Sequence, residues 1–284
     1  MSLPVRRGGE RFSDSLSLDF VEPEGGVGAL VLVEVRPGAG RVRAVELVLD
    51  PGEVAVMAAP ELHGDVPSDW GAVELDGLKL ADDGERARIS LTNEAGELEL
   101  EAKRLGGVTL EAGSAFADAT GLSHEAFAAR VTGEWRPRGG EPRRIEGLGR
   151  LVRTSGEPGW DRIELLRSLT AVMEDSSLLV VASARPLGAA GHGEEATSAV
   201  LLDAEESLTR FDEPLLSTEY DAAGTHRRAG VELWGPDEAT ALRGAGTRIG
   251  DAAAGAGGLE TAFLRFTLNG ARGTARYDLQ RAAA

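Results

Sequence analysis

Apolar and polar residues alternate in short runs along most of the chain, and the runs come in pairs around a glycine-containing turn. ALVLVEVR and RVRAVELVL flank PGAG between Gly28 and Leu49, and RARISL and ELELEAK flank TNEAG between Arg86 and Lys103. A period of two sends successive side chains to opposite faces of a strand. Two such runs joined by a glycine turn predict an antiparallel hairpin. In the second pair Ile89 and Leu91 alternate with Arg88 and Ser90, and Leu98 and Leu100 with Glu99 and Glu101. That pattern predicts one buried and one wet face. From Ser177 to Leu202, SLLVVASA and ATSAVLLD flank the longer loop PLGAAGHGEE; farther on, AFLRFTL and GTARYDL flank NGAR, which predicts that the last run is a sheet strand.

Helical signals are sparse. Ile163 to Glu174 (IELLRSLTAVME) fits an amphipathic helix and a strand equally, and Pro236 to Leu242 fits one helical turn or a strand. Many short strands with few helices imply a closed or sandwiched antiparallel architecture, because open edges recruit other chains. At 284 residues the length suits two β-domains of barrel or sandwich type. Glycine and proline interrupt the pattern in SGEPGW at 155–160, near which a boundary is expected; the division adopted is 1–168 and 169–284. DAAAGAGG at 251–258 is expected to be a flexible loop.

Charge narrows the partners. With 47 Asp and Glu against 30 Lys and Arg, the net charge of -17 repels phosphate backbones and anionic membrane surfaces, so neither nucleic acid nor membrane is an expected partner. The absence of cysteine excludes disulfides, thiolate metal sites and thiol nucleophiles. No apolar h-region follows MSLPVRRGGERFSDS, and the longest uncharged apolar runs, VAVMAAP and SSLLVVASA, are too short to span a bilayer, so a cytoplasmic location is expected. Lys79 and Lys103 are the only lysines beside abundant Arg, Ala and Gly, a compositional bias that weakens alanine as a sign of helix.

Candidate chemistry is dispersed. LSTEYDAAGTHRRAGVELW (216–234) collects a Tyr, acids, a His, arginines and a Trp, yet it reads as strand, turn and strand, with Ala229, Val231 and Leu233 sharing a face. Tyr220 and Trp234 are the two residues there that suit a ligand cavity. His63, His124, His192 and His226 are scattered without HxH or HExxH spacing, so no metal site is expected. His192 belongs to an exposed loop tip; His124 opens a strand-like run toward Trp135, where burial is expected. RPRGGEPRRIEGLGRLVR (136–153) concentrates arginine, either as a solvated hairpin around GGEP or as a positive wall for an anionic group. Arg150 and Arg153 follow the GLG step and are the candidates for that wall. Glu164, near Trp160, is a candidate acid. No GxSxG elbow, P-loop or strand-linked GxGxxG occurs.

The order RFSDSLSLDFVEPEGG, SHEAFAARVTGEWRPRGGEPRRIEGLGR, MEDSSLLVVASA and LSTEYDAAGTHRRAGVELW resembles the two-domain lipocalin-like proteins related to carotenoid 1,2-hydratase and AttH, a superfamily that also includes fungal Diels-Alderases. The resemblance implies an all-β fold of two lipocalin-like antiparallel β-barrel or sandwich domains with little helix, enclosing an apolar small molecule. Relatives follow the glycine step with Arg-Asp-His-Ser-Trp-Gly, whose Asp, His and Trp are associated with the hydratase site. Here Arg150 is kept, but Leu151 and Val152 stand where the acid and imidazole are expected, so water addition is not implied.

The expectation is therefore a β-lined pocket that binds an apolar or amphipathic, polyketide-like or terpenoid-like molecule. Cyclisation or isomerisation without a cofactor, by preorganisation, is the first reading; a non-catalytic carrier is the second. The expected ligand-facing residues are His124, Trp135, Arg150, Arg153, Trp160, Glu164, Tyr220 and Trp234.

Overall fold

A computed structural model describes residues 3–50, 53–58, 61–63, 66–222, 224–235, 241–254 and 258–281. The chain is almost wholly strand, in two antiparallel sheets. The first is built from β1 (Ser13–Val21), β2 (Gly28–Arg36), β3 (Arg41–Asp50), β4 (Glu53–Ala58), β5 (Glu61–His63), β6 (Val73–Leu75), β7 (Leu78–Asp82), β8 (Arg86–Thr92), β9 (Gly96–Leu110), β10 (Leu122–Pro137) and β11 (Arg143–Gly156). The second holds β12 (Ile163–Met173), β13 (Leu178–Pro186), β14 (Ala196–Leu202), β15 (Leu208–Phe211), β16 (Leu215–Tyr220), β17 (His226–Leu233), β18 (Leu242–Ala254), β19 (Leu259–Leu268) and β20 (Ala271–Arg281).

In the first sheet the order is β4-β3-β2-β1-β11-β10-β9-β8-β7-β6, with β5 also on β3; in the second it is β15-β14-β13-β12-β20-β19-β18-β17-β16. Each sheet is joined through a strand pair distant in sequence, β1 with β11 and β12 with β20. The passage between sheets lies between Gly156 and Ile163.

The four hairpins expected from the alternation are present as β2–β3, β8–β9, β13–β14 and β19–β20. Ile89, Leu91, Leu98 and Leu100 are buried as the period of two requires. Ile163–Met173 is strand, not helix; it lies between β13 and β20, and pairing on both sides decides what the short apolar run left open. The expected loop at 251–258 is corrected in part. Strand β18 continues to Ala254, because Gly250, at φ 66, turns the chain through a register shift and Ala253 and Ala254 pair again with Thr261 and Glu260. Residues 255–257 lie outside the described residues, as do 236–240 of the segment 236–242 that fits a helical turn or a strand.

A helix not foreseen, α1 (Ala115–Thr120), follows β9. The Ser114 side chain accepts from the Ala117 N–H at its start, and Gly121 ends it in the left-handed region.

Alternation within the central strands builds separate cores. Leu16, Leu18 and Phe20 of β1 enter the core of the first sheet with Trp70 and Trp135. Ala275, Tyr277 and Leu279 of β20 enter that of the second with Phe266 and Leu169. The opposite faces of β1, β11, β12 and β20 meet between the sheets. There an apolar cluster including Phe116, Leu122, Val152, Leu166 and Val180 fastens one sheet to the other.

Candidate functional site

Beside that apolar cluster the two sheets leave a cleft of about 720 Å³. This falls in the range of roughly 300–1,000 Å³ typical of small-molecule sites. One wall comes from the first sheet: Ser13, Ser15 and Ser17 of β1, Val152 and Thr154 of β11 and His124 of β10. The other comes from the second sheet and the loop before it, with Trp160, Leu166, Ser168, Arg276 and Asp278. Phe116 and Leu122 add apolar surface, while Glu34, Arg36, Arg41 and Arg43 of β2 and β3 add charge. The lining is therefore amphipathic.

The serines line the cleft because they occupy alternate positions of β1, opposite in direction to Leu16 and Leu18. Asp19 continues the same face and receives Arg150 Nε and, at 2.9 Å, Arg276 Nη1. Arg276 also donates to Ser17 Oγ at 2.9 Å and to Asp278 at 3.0 Å. Arg150 donates to the Thr274 carbonyl at 2.8 Å and to its hydroxyl at 3.1 Å. Two buried cations and two acids thus join β1 and β11 to β20 and hold the cleft floor in one geometry. The Arg276 pKa is raised: burial opposes its charge, but Asp278 and Asp19 outweigh that.

His124 is buried, 4% exposed, and lies edge-on to Phe116 at 6.5 Å between ring centres. Its Nδ1 shares a hydrogen bond with Thr154 Oγ1 at 2.9 Å, while Nε2 has no hydrogen-bond partner among the described residues. Burial first, and the positive Arg276 second, push its pKa down to about 4. The ring is neutral at physiological pH.

Of the residues expected to face a ligand, His124 and Trp160 line the cleft. Arg150 lies in the polar network beneath it. Arg153 points from the other face of β11, where it grips Asp14 and the Pro4 carbonyl. Trp135 fills the core of the first sheet. Glu164 is exposed and lies 3.7 Å from Arg185 on the outside of the second sheet. Tyr220 is 44% exposed at the end of β16, and Trp234 follows β17; neither lines the cleft. The stretch from Leu216 to Trp234 is a hairpin, with Ala229, Val231 and Leu233 buried together.

The other histidines stand elsewhere. His192 is exposed at a loop tip beside Glu195, and His226 is buried against Glu260 and Tyr277. The side chain of His63 lies outside the described residues. Among the described residues no three His, Asp or Glu side chains are grouped to hold a metal, and no helix is long and apolar enough to cross a membrane.

Thr154, the β1 serines, Arg276 and Asp278 were not singled out by sequence. Their signal was the alternation itself, S-D-S-L-S-L-D and A-R-Y-D-L, which reads as a water-facing row until a second sheet is known to cover it.

No family model and no curated protein matches the sequence. Solved structures do match the fold. A protein of Nitrosomonas europaea provisionally assigned as AttH superposes with a TM-score of 0.74 at 16% identity, covering 96% of this chain and 93% of that one. Kievitone hydratase from Nectria haematococca gives 0.67 at 8% identity over 99% of this chain and 97% of its own. CghA, solved with Sch210972, gives 0.66 at 12% over 99% and 94%. The lipocalin-like all-β architecture is therefore shared with these solved structures.

Proposed function

We propose that the protein binds an amphipathic small molecule in the cleft between its sheets and promotes its cyclisation or isomerisation without a cofactor. The single observation that carries this reading is His124: a buried, neutral imidazole on the wall of a cleft large enough for a ligand, with Nε2 unpartnered. A similarly folded protein is a hydratase by name and another was solved with a small molecule, which supports a role in small-molecule chemistry.

When the Thr154 hydroxyl donates to Nδ1, the ring proton sits on Nε2, and a ligand that reaches this buried nitrogen would meet a neutral N–H. Such a donor polarises a ligand carbonyl as negative charge develops on its oxygen. It is already oriented, and water around it is scarce. Phe116, Leu122, Val152 and Trp160 would hold the carbon skeleton in a folded conformer, lowering the entropic part of the barrier. Val152 supplies apolar wall and no proton, which favours rearrangement over hydration.

The test is native mass spectrometry of the freshly purified protein, solvent extraction of any bound compound, and incubation of that compound and its synthetic precursors with wild type and His124→Gln. Turnover by wild type that falls at least about tenfold in the variant, with binding kept, is expected. A retained compound that is never converted would replace the catalytic reading with that of a carrier. A ligand that binds Trp160→Ala as it binds wild type would sink the cleft assignment.

A further inference from the structure

Resting on the reading of the cleft as a ligand site, we propose that Arg276 is its polar anchor and that the ligand it selects carries a neutral carbonyl, held by Nη2 of the guanidinium.

The donor count carries the inference. A guanidinium has five N–H groups and no acceptor. In Arg276 the Nε–H goes to Asp278 at 3.0 Å, and Nη1 donates to Ser17 Oγ and to Asp19, each at 2.9 Å. The third nitrogen, Nη2, donates to no described residue, and it is not among the unpartnered polar atoms sealed inside the protein. Since Arg276 is otherwise buried and lines the cleft, the two N–H groups of Nη2 open there.

The surroundings set what those groups accept. The Arg276 charge is met by Asp19 and Asp278 in direct contact, and Asp19 in turn holds Arg150. Two cations and two acids therefore balance, with Asp19 and Arg150 wholly buried. A ligand carboxylate on Nη2 would bring an unbalanced negative charge beside Asp19 and Asp278 and lose its hydration. A hydrocarbon would leave both N–H groups unpaired. A ketone, ester or amide oxygen accepts them at neither cost. The place also suits an apolar body: Ser17, where Nη1 ends, pairs in register with Val152, which lines the cleft with Leu122, Leu166 and Trp160.

Three naphthalenes serve as probes: 2-acetylnaphthalene, 2-naphthoate and 2-ethylnaphthalene share a ring system and differ in carrying a ketone, a carboxylate or an alkyl group. Their binding to the full chain is measured by equilibrium dialysis for wild type, Arg276→Lys and Trp160→Ala. Lysine keeps the charge, and its three N–H groups match the three oxygens on Ser17, Asp19 and Asp278, so this variant removes the spare donors and retains the network. The ketone is expected to bind wild type at least about tenfold more tightly than either other probe, and that preference should shrink to about threefold or less in Arg276→Lys. The infrared carbonyl band of the ketone bound to wild type should lie below its position in hexane, a readout that stands even if the lysine variant does not fold.

Equal binding of ketone and hydrocarbon, with both weakened in Trp160→Ala, would overturn the anchor and leave the cleft reading standing. Tightest binding by the naphthoate would overturn the neutral carbonyl. A preference that survives Arg276→Lys, or a carbonyl band unmoved from hexane, would overturn the role of Arg276. Absence of binding by all three probes would remove the cleft reading and this inference together.

Discussion

Replacing His124 by glutamine should flatten the pH dependence of stability, by an amount that follows from its burial. In the folded chain the imidazole titrates at about 4 instead of its ordinary 6.5, because protonation would place a charge in a dry site facing Arg276. The unfolded chain takes up the proton near 6.5 and the folded chain only near 4. Between those values acid binds preferentially to the unfolded state, and stability present above pH 6.5 is lost as the pH falls toward 4. Linkage with these two values gives a loss of about 2 kcal/mol between pH 7 and pH 5, and about 3 kcal/mol in all below pH 4.

Carboxylates titrate in the same acid range, but they do so in both proteins and cancel in the comparison. The assay is urea unfolding followed by tryptophan fluorescence at pH 7.5, 6.5, 5.5 and 5, for wild type and His124→Gln. Glutamine packs differently against Phe116 and shifts the starting stability, so the slope with pH is the quantity compared. A difference in slope worth about 2 kcal/mol between pH 7 and 5 is expected. Parallel curves would mean that His124 is hydrated or paired when folded, and the claim of a neutral donor facing the cleft would fall with it.

Other perturbations probe the frame around the site. Arg150→Met should destabilise by about 3 kcal/mol in urea unfolding, because Asp19 keeps only part of its compensation, while Arg150→Met with Asp19→Asn should cost less than the sum of the single changes. Tyr277, buried with its hydroxyl on Thr218, has its pKa pushed up to about 12. The unfolded chain releases that proton near 10, so stability should fall by about 2 kcal/mol as pH rises from 10 to 12, and Tyr277→Phe should remove this component. At Gly149 an added methyl would lie 2.4 Å from the Asp19 carbonyl oxygen and 2.6 Å from Val131 Cγ2. Gly149→Ala should therefore cost about 1–3 kcal/mol, and an unchanged urea midpoint would refute the close strand approach at β1–β11.

The hairpins were legible because glycine turns and a period of two are local properties. Residues 86–103 specify their own pairing without help from the rest of the chain. The strand at 163–173 was not, because only its neighbours β13 and β20 decide between periods in so short an apolar run. Helix α1 escaped notice for a compositional reason: AFADAT is alanine-rich in a chain where alanine is common everywhere, and its cap, Ser114, was the one informative residue.

Within the site, His124 was legible because it opens a strand-like run toward Trp135, along which burial is expected. Trp135 and Trp160 have the same side chain, yet one fills a core and the other lines the cleft. Sequence type alone does not separate those fates. Ser13, Ser15 and Ser17 show the converse limit. Alternation says that two faces differ, but not whether the polar one meets bulk water or a second sheet.

The polar network under the cleft joins Asp19 of β1 to Arg276 of β20. These positions are far apart in the sequence, so a chain emerging from the ribosome can complete its first sheet long before the cleft exists. Until β20 is inserted between β12 and β19, Asp19 and Arg150 lack their partners on the far wall and the cleft has no floor. A nascent or C-terminally truncated chain would then expose buried charges with no ligand to stabilise it. The cleft is completed in one late step, and a ligand that fitted only the finished cleft would also act as a clamp on the last strand to join.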